Sequence, residues 1–139
     1  MNIAVRYDSK TGNTKKLAEA IAKELGTVAL TVQQPLLEKA DILFLGSAVY
    51  AAGVSTEVKA FIAGLTPEQA GKVACFSTAA LLPSTYKQVK KLLEARGITV
   101  LEKEFHCRGQ FHFAHKGKPD EADIAAAAAF ARDVTGANA

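Results

Sequence analysis

The sequence lacks the features that mark disulfide-stabilised and membrane-spanning proteins. Its 139 residues include two cysteines and no tryptophan. Neither Cys75 nor Cys107 lies in a paired-cysteine motif, so we expect both thiols to be reduced. No apolar run approaches the roughly 18 residues that a transmembrane helix needs. The amino terminus also lacks the basic start and cleavage site of a signal peptide. These absences predict a cytoplasmic protein without a membrane span.

Several common motifs of nucleotide and nucleic-acid chemistry are missing as well. There is no Walker motif and no glycine fingerprint of a dinucleotide site, which argues against an NTPase or a simple Rossmann dehydrogenase. The basic residues are not interleaved with aromatic ones, so we expect no nucleic-acid partner. Neither a catalytic triad nor paired carboxylates are apparent, so the sequence by itself predicts no catalytic residue. His106, His112 and His115 lie near the predicted end of the fifth strand, but no carboxylate or third ligand is obvious there, so no metal ligand is predicted either.

The charge is mildly basic and unevenly distributed. The formal net charge is +3, from 17 basic and 14 acidic residues. Between positions 87 and 118 the chain carries eight basic and three acidic side chains, together with all three histidines. A basic surface of this kind can steer acidic partners.

Strand and helix patterns alternate along the whole chain, which fits one domain over residues 1–139. Strands are predicted at residues 3–7, 28–32, 42–47, 72–77 and 98–101, and the fifth has room to continue to Phe105. Helices are predicted around the apolar positions 17–25, 58–65, 89–93 and 119–134, with at most a short helix at 35–38. This alternation predicts an α/β fold with a parallel sheet covered by helices on both faces.

In such a sheet, ligands bind beyond the carboxyl ends of the strands. In this chain those ends lie at residues 7–14, 47–53, 77–83 and 106–113. The first of them contains the run Ser9-Lys10-Thr11-Gly12-Asn13-Thr14. Its hydroxyls, its glycine turn and the following helix N-terminus are features that bind phosphate groups.

This run resembles the phosphate signature of the flavodoxin family, Ser-x-Thr-Gly-Asn-Thr, at the expected place between the first strand and the first helix. The segments 41–50 and 71–79 are similar to the third and fourth strands of that family with their flavin loops. Cys107 to Phe111, followed by Lys118 to Asp120, resembles the end of short bacterial members. The resemblance implies a doubly wound five-stranded parallel sheet in the order 2-1-3-4-5 and one bound flavin mononucleotide (FMN).

The resemblance also implies which residues bind the cofactor. The loop at residues 9–14 would hold the phosphate, two later loops would flank the flavin ring, and Tyr50 is the best candidate to stack on it. The implied cofactor-binding residues are Ser9, Lys10, Thr11, Gly12, Asn13, Thr14, Ser47, Ala48, Val49, Tyr50, Ala51, Ala52, Gly53, Ser77, Thr78, Ala79 and Ala80.

Three features depart from the usual carrier flavodoxin. The chain is basic where such carriers are acidic, it has no tryptophan to stack on the flavin, and the loop from Ala79 to Pro83 has no glycine. Because the phosphate signature is intact and no catalytic residue is apparent, the sequence nevertheless favours an FMN-binding electron-transfer protein with redox partner proteins of unknown identity. It leaves open an FMN-dependent oxidoreductase of the quinone or protoporphyrinogen type, and a binding module that has lost the flavin.

Overall fold

In the computed structural model of the chain, residues 1–50, 53–79, 84–109 and 117–138 are described, with the backbone alone at Val49 and Tyr50. Within these ranges the chain forms seven strands and four helices. In chain order these elements are β1 (Ile3–Tyr7), α1 (Asn13–Leu25), β2 (Ala29–Thr31), β3 (Ala40–Tyr50), β4 (Gly53–Val54), α2 (Thr56–Ala63), β5 (Ala70–Ala79), α3 (Tyr86–Glu94), β6 (Thr99–Val100), β7 (Phe105–Arg108) and α4 (Glu121–Ala137).

The main sheet is parallel and has the strand order β2-β1-β3-β5-β6. Strand β7 also pairs with β5 in parallel, opposite Phe76–Ala79, whereas β6 lies opposite Lys72 and Val73. The two short strands therefore occupy one position at the sheet edge. Counted as one strand, and with the two-residue antiparallel β4 set aside, they confirm the predicted order 2-1-3-4-5.

The interruption between β6 and β7 is a difference from the continuous strand that the sequence allowed. The backbone N–H of Leu101 still donates to Val73, at 2.9 Å. Its carbonyl, however, accepts from the Tyr86 hydroxyl on α3, at 2.8 Å, and Glu102 and Lys103 are exposed. The chain leaves the sheet here because the Leu101 carbonyl is bonded to a side chain of α3 and the two charged residues that follow remain in water.

The sheet is covered on both faces, as predicted. Helices α1 and α4 lie on one face, in a core that includes Leu17, Phe44 and Phe130. Helices α2 and α3 cover the other face, in a core that includes Val58 and Leu93. The consecutive apolar run from Ile42 to Leu45 in β3 is at most 1% exposed at every position. A strand buried on both faces needs apolar residues without alternation, which is the pattern that predicted it.

The short helix considered at residues 35–38 is not formed. The guanidinium of Arg6, buried on β1, donates to the carbonyls of Gln34 and Pro35 at 2.9 and 3.0 Å. The two carbonyls that would accept the first hydrogen bonds of such a helix instead accept from Arg6. The same burial lowers the pKa of Arg6 below its usual value by desolvation, and the three carbonyl contacts of the guanidinium, including one to Val5, keep the cation hydrogen-bonded.

Candidate functional site

The strands β1, β3, β5 and β7 end at one edge of the sheet. Tyr7 at the end of β1 is the register partner of Gly46, and Ala48 is the partner of Thr78. At the outer position, Ala79 is opposite Arg108. The structure therefore brings together at this edge the chain segments in which the sequence predicted a ligand site.

The predicted phosphate loop forms a tight turn into α1. Gly12 caps the helix with a left-handed backbone, at φ +88°, which glycine adopts without strain. Its N–H donates to the Ser9 hydroxyl at 3.0 Å, and its carbonyl accepts from Lys16 at 3.2 Å. A Cβ added at Gly12 would meet no atom within 4 Å. The turn thus leaves open space beside the glycine at the helix N-terminus.

The N-terminus of α1 differs in charge from those of α2 and α4. Helix α2 has a side-chain cap from Ser55 and an acidic residue, Glu57, in its first turn. Helix α4 has a capping box that begins at Asp120, and its first turn contains two acidic residues. Helix α1 has no side-chain cap and no acidic residue in its first turn. The amide groups and positive dipole end of α1 are therefore not neutralised by a carboxylate of the helix itself, which favours an anion.

Buried hydroxyl groups form the floor of this edge. Thr14 and Thr78 share a hydroxyl–hydroxyl hydrogen bond of 2.9 Å between α1 and β5. Ser47 and Thr85 share one of 2.5 Å between β3 and the start of α3. Three of these four residues, Thr14, Ser47 and Thr78, are among those predicted to bind the cofactor, and the structure uses their hydroxyls to join the elements that surround the site.

Ser77 has a different environment from the other hydroxyls. It is 2% exposed, and its Oγ has no hydrogen-bond partner among the residues that the structure describes. Buried hydroxyls normally have a partner. Ser77 therefore retains an unused donor and acceptor next to the end of β5, where the second flavin loop was predicted.

The elements around the predicted site are also held by residues that the sequence did not predict. Asp8, buried after β1, accepts from the Ser55 hydroxyl at 2.7 Å, and Ser55 also caps α2. Gly109, after β7, lies beside the predicted phosphate loop, because a Cβ there would be 2.7 Å from Asn13 Nδ2. The Ser55-Thr56-Glu57 run is a recognisable helix start, but its bond to Asp8 joins positions far apart in sequence.

The first predicted flavin loop lies on a β-hairpin. Strand β4 pairs with the end of β3, with Tyr50 opposite Gly53 and Val49 opposite Val54. Gly53 has a left-handed backbone at φ +95°, and the N–H of Val54 donates to the Gln88 side chain at 3.0 Å. The hairpin is therefore attached to α3.

Part of the predicted site lies outside the described residues. Ala51, Ala52 and Ala80 belong to this part, as do the side chains of Val49 and Tyr50. The stacking role assigned to Tyr50 consequently stays a prediction. Of the three histidines in the basic segment, His112 and His115 lie outside the described residues. In the described part of the chain, no group of three or more His, Cys, Asp or Glu side chains could hold a metal ion.

Both cysteines are free and lie in different cores. Cys75 is buried on the side of α2 and α3, and Cys107 packs on the side of α1 and α4. Burial raises the pKa of each thiol to about 12, from an ordinary value near 9, with a smaller contribution from Glu104 at Cys75 and from Asp123 at Cys107. Both thiols therefore remain protonated at neutral pH.

The raised pKa of Cys75 predicts a loss of stability in alkaline solution. The unfolded thiol ionises near pH 9 and the folded one only near pH 12, so the unfolded state releases its proton first. The stabilisation is complete below pH 9 and decreases as the pH rises from 9 towards 12. Between pH 8 and 10.5 the free energy of unfolding should fall by about 2 kcal/mol more in the wild type than in Cys75→Ala. Urea unfolding of both proteins measures this difference, and equal pH dependence would contradict it.

Comparison with known proteins agrees with the architecture. A family model of the flavodoxin domain matches residues 4–118, and the chain belongs to this family. A search of curated protein sequences finds no match. In the described ranges, each helix is too short or too polar to span a lipid bilayer.

Solved structures with low sequence identity have the same fold. A flavodoxin from the domain Archaea aligns with a TM-score of 0.81 and 18% identity over 99% of both chains. A short-chain flavodoxin associated with a non-canonical PDU bacterial microcompartment aligns with a TM-score of 0.76 and 19% identity over the full length of both. Rubredoxin:oxygen oxidoreductase from Desulfovibrio gigas aligns with a TM-score of 0.77 and 17% identity, over 99% of this chain and 36% of that one.

Proposed function

We propose that residues 1–139 form a single domain that binds one FMN and acts as an electron-transfer protein. The observation that carries this proposal is the left-handed turn at Gly12, which opens an uncapped helix, free of acidic residues in its first turn, at the carboxyl edge of the sheet. A phosphate dianion fits this place because the amide groups and the helix dipole both favour negative charge.

The residues present fit FMN at two separate points. The phosphate would be held by the loop from Ser9 to Thr14, beside the open space at Gly12. The unpartnered hydroxyl of Ser77 offers a hydrogen bond to a polar group that would lie near the end of β5. The flavin ring would lie between the loop after β3 and the loop after β5.

The cofactor would supply the redox chemistry, and the protein would hold it and control its access to water and partners. Thr14 and Thr78 fix the distance between the phosphate loop and β5, while Ser47 and Thr85 fix β3 against α3. Asp8, a buried carboxylate at this edge, accepts a hydrogen bond from Ser55 and so joins the end of β1 to the start of α2. An electron carrier needs no catalytic acid or base, which agrees with these roles.

Two unpaired thiols favour a reducing compartment such as the cytoplasm.

An FMN titration tests the cofactor. We expect FMN fluorescence to be quenched with one equivalent bound, and the visible spectrum of the flavin to shift on binding. Riboflavin, which has the same ring and no phosphate, is the control ligand. It should bind at least about 100-fold more weakly, or about 2.7 kcal/mol, because it makes no contact with the phosphate loop. Absence of FMN binding would overturn the proposal, and equal affinity for both ligands would overturn the role of the loop.

Steady-state kinetics tests the carrier function. Holoprotein supplied with NADH or NADPH and a panel of quinones should turn over no faster than free FMN at the same concentration. Rapid, saturable turnover of one small molecule would instead identify a flavin-dependent oxidoreductase of the same fold.

A further inference from the structure

We infer that the exposed side of α3 is a docking surface for an acidic redox protein. This inference rests on the proposed electron-transfer function and names the chemistry of the partner. The surface, called here the α3 basic face, consists of Lys87, Lys90 and Lys91. These positions are three and four residues apart, so their side chains lie on one side of the helix. Val89 and Leu93 on the opposite side are buried.

The charge of α3 is one-sided compared with the other helices. Helix α3 carries three lysines and one glutamate, whereas α1 carries three lysines and two glutamates. Helix α2 has one residue of each sign, and α4 has one arginine and three acidic residues. The glutamate of α3, Glu94, is at the end of the helix that points away from the carboxyl edge of the sheet. Because Lys91 and Glu94 share the last turn, the net positive charge of α3 comes from Lys87 and Lys90, on the part of the helix nearer the proposed cofactor.

The lysines of this face are available to a partner. Lys87 and Lys91 are exposed, and Lys90 is half-buried with its ammonium 5.8 Å from the centre of the Tyr86 ring. None of the ion pairs among the residues that the structure describes involves Lys87, Lys90 or Lys91. The cations are not neutralised within the described part of the chain, so their field extends into solution.

The position of Lys87 is unfavourable for the helix itself. It lies in the first turn of α3, where the helix dipole is positive, and this turn contains no acidic residue. A residue that breaks a local rule without a local benefit is expected at a functional surface. A carboxylate from a partner protein would supply the negative charge that the helix N-terminus and Lys87 both favour.

The helix that carries the α3 basic face is attached at two points to the first of the loops that would flank the flavin. Thr85, which precedes α3, bonds to Ser47 at the start of the first loop. Gln88 in the first turn accepts from Val54 in the β3–β4 hairpin. A protein seated on Lys87 would therefore lie beside the proposed flavin ring, the arrangement that electron transfer between proteins requires. An acidic partner fits the charge, because complementary charge increases the association rate.

The test compares two haem proteins of opposite charge, cytochrome b5 as the acidic acceptor and cytochrome c as the basic one. Dithionite-reduced FMN holoprotein is mixed with each ferric protein in a stopped-flow instrument. In each encounter one electron passes from the reduced flavin to the haem iron, which is reduced from ferric to ferrous, and the flavin is oxidised by one electron. The rate constant with cytochrome b5 should fall at least about 10-fold between 10 and 300 mM ionic strength, because salt screens the attraction. The rate constant with cytochrome c should not fall.

Charge reversal locates the surface. Lys87→Glu/Lys91→Glu should lower the low-salt rate constant with cytochrome b5 at least about 10-fold and raise the one with cytochrome c. The control, Lys23→Glu/Lys39→Glu, makes the same change in net charge at two exposed lysines away from the carboxyl edge. It should change either rate constant less than about 3-fold. Equal losses in the two variants would overturn the inference, since net charge alone would then explain them.

Two further measurements keep this inference separate from the proposed cofactor. FMN affinity is measured for each variant, and a wild-type protein that binds no FMN overturns the proposed function. In that case, NMR titration of the FMN-free protein with cytochrome b5 still tests docking, and shifts confined to α3 would support the surface. If duplex DNA shifts the same residues at lower concentration than cytochrome b5 does, the face is a nucleic-acid site and the inference is wrong.

Discussion

Replacement of Gly12 by aspartate is expected to weaken FMN binding at least about 100-fold, equivalent to about 2.7 kcal/mol. The new carboxylate would stand at the N-terminus of α1, in space that no other atom occupies within 4 Å of the added Cβ. A phosphate dianion at the same terminus would be repelled by it, and the carboxylate would itself take the amide groups that a phosphate needs. Fluorescence titration with FMN at low and high salt measures the loss.

The variant Gly12→Asn distinguishes the effect of the negative charge on FMN affinity from the effect of side-chain size. Asparagine and aspartate have nearly the same volume, and both tolerate the left-handed backbone at φ +88° better than other residues do. Gly12→Asn should therefore lower FMN affinity by no more than about 10-fold, and the gap between the two variants should narrow at high salt. Equal losses would mean that the side chain blocks the site sterically and that the negative charge has no role.

A second control tests whether any aspartate at a left-handed glycine has this effect. Gly26 ends α1 at φ +70°, and a Cβ there also meets nothing within 4 Å. Gly26→Asp places the same side chain at the opposite end of the same helix. We expect a loss of stability of about 1 kcal/mol or more from the backbone and the helix dipole, with FMN affinity within about twofold of the wild type.

Gly46→Ala should be the most destabilising single-methyl change at the site, by about 3 kcal/mol or more. A Cβ at Gly46 would overlap Cε2 and Cζ of Phe76 and would lie 3.0 Å from Cγ2 of Thr14. The Phe76 ring is fully buried and Thr14 is bonded to Thr78, so neither side chain can move away freely. For a domain of this size the melting temperature should fall by about 10 °C.

The effect should extend to the phosphate loop. The carbonyl of Gly46 accepts from the N–H of Asp8 at 3.1 Å, which fixes the chain just before Ser9. Displacement of β3 by the added methyl should therefore lower FMN affinity as well as stability. Thermal unfolding with and without FMN measures both effects in one experiment, because the ligand stabilises only the folded protein.

Two variants check the cause of the Gly46 effect. Gly64→Ala adds a methyl whose nearest contacts are 3.8 and 3.9 Å, and its stability should stay within about 1 kcal/mol of the wild type. Phe76→Leu removes the ring that the added methyl would strike, so it should recover at least about 1 kcal/mol when combined with Gly46→Ala. Additive effects in the double variant would contradict the proposed clash.

The sequence predicted the fold well because its signals are local. The consecutive apolar residues from Ile42 to Leu45 identified a strand buried on both faces. The glycines at positions 12 and 26 marked the two ends of α1, where the left-handed backbone requires them. Since the carboxyl ends of parallel strands meet at one edge, the same patterns also predicted which loops would converge.

Local signals failed where a long-range contact decided the conformation. The sequence allowed the fifth strand to continue from Leu101 to Phe105. In the structure the Tyr86 hydroxyl donates to the Leu101 carbonyl, and the strand is divided into β6 and β7. Residues 35–38 were considered for a short helix, but Arg6 bonds to two carbonyls at the start of this segment. In both places a side chain from another element takes a backbone group that a regular element would use.

The sequence by itself therefore determined the order of strands and helices along the chain, the place of the glycine turn before α1 and the uneven distribution of charge. Only the tertiary structure decided that Thr14 bonds to Thr78, that Ser55 bonds to Asp8, and that Gly46 has no room for a methyl. Periodicity and turn residues report the conformation of neighbouring positions. The pairing of hydroxyls and the closeness of Gly46 to Phe76 depend on strand register and helix packing, which place residues 30 to 64 positions apart in contact.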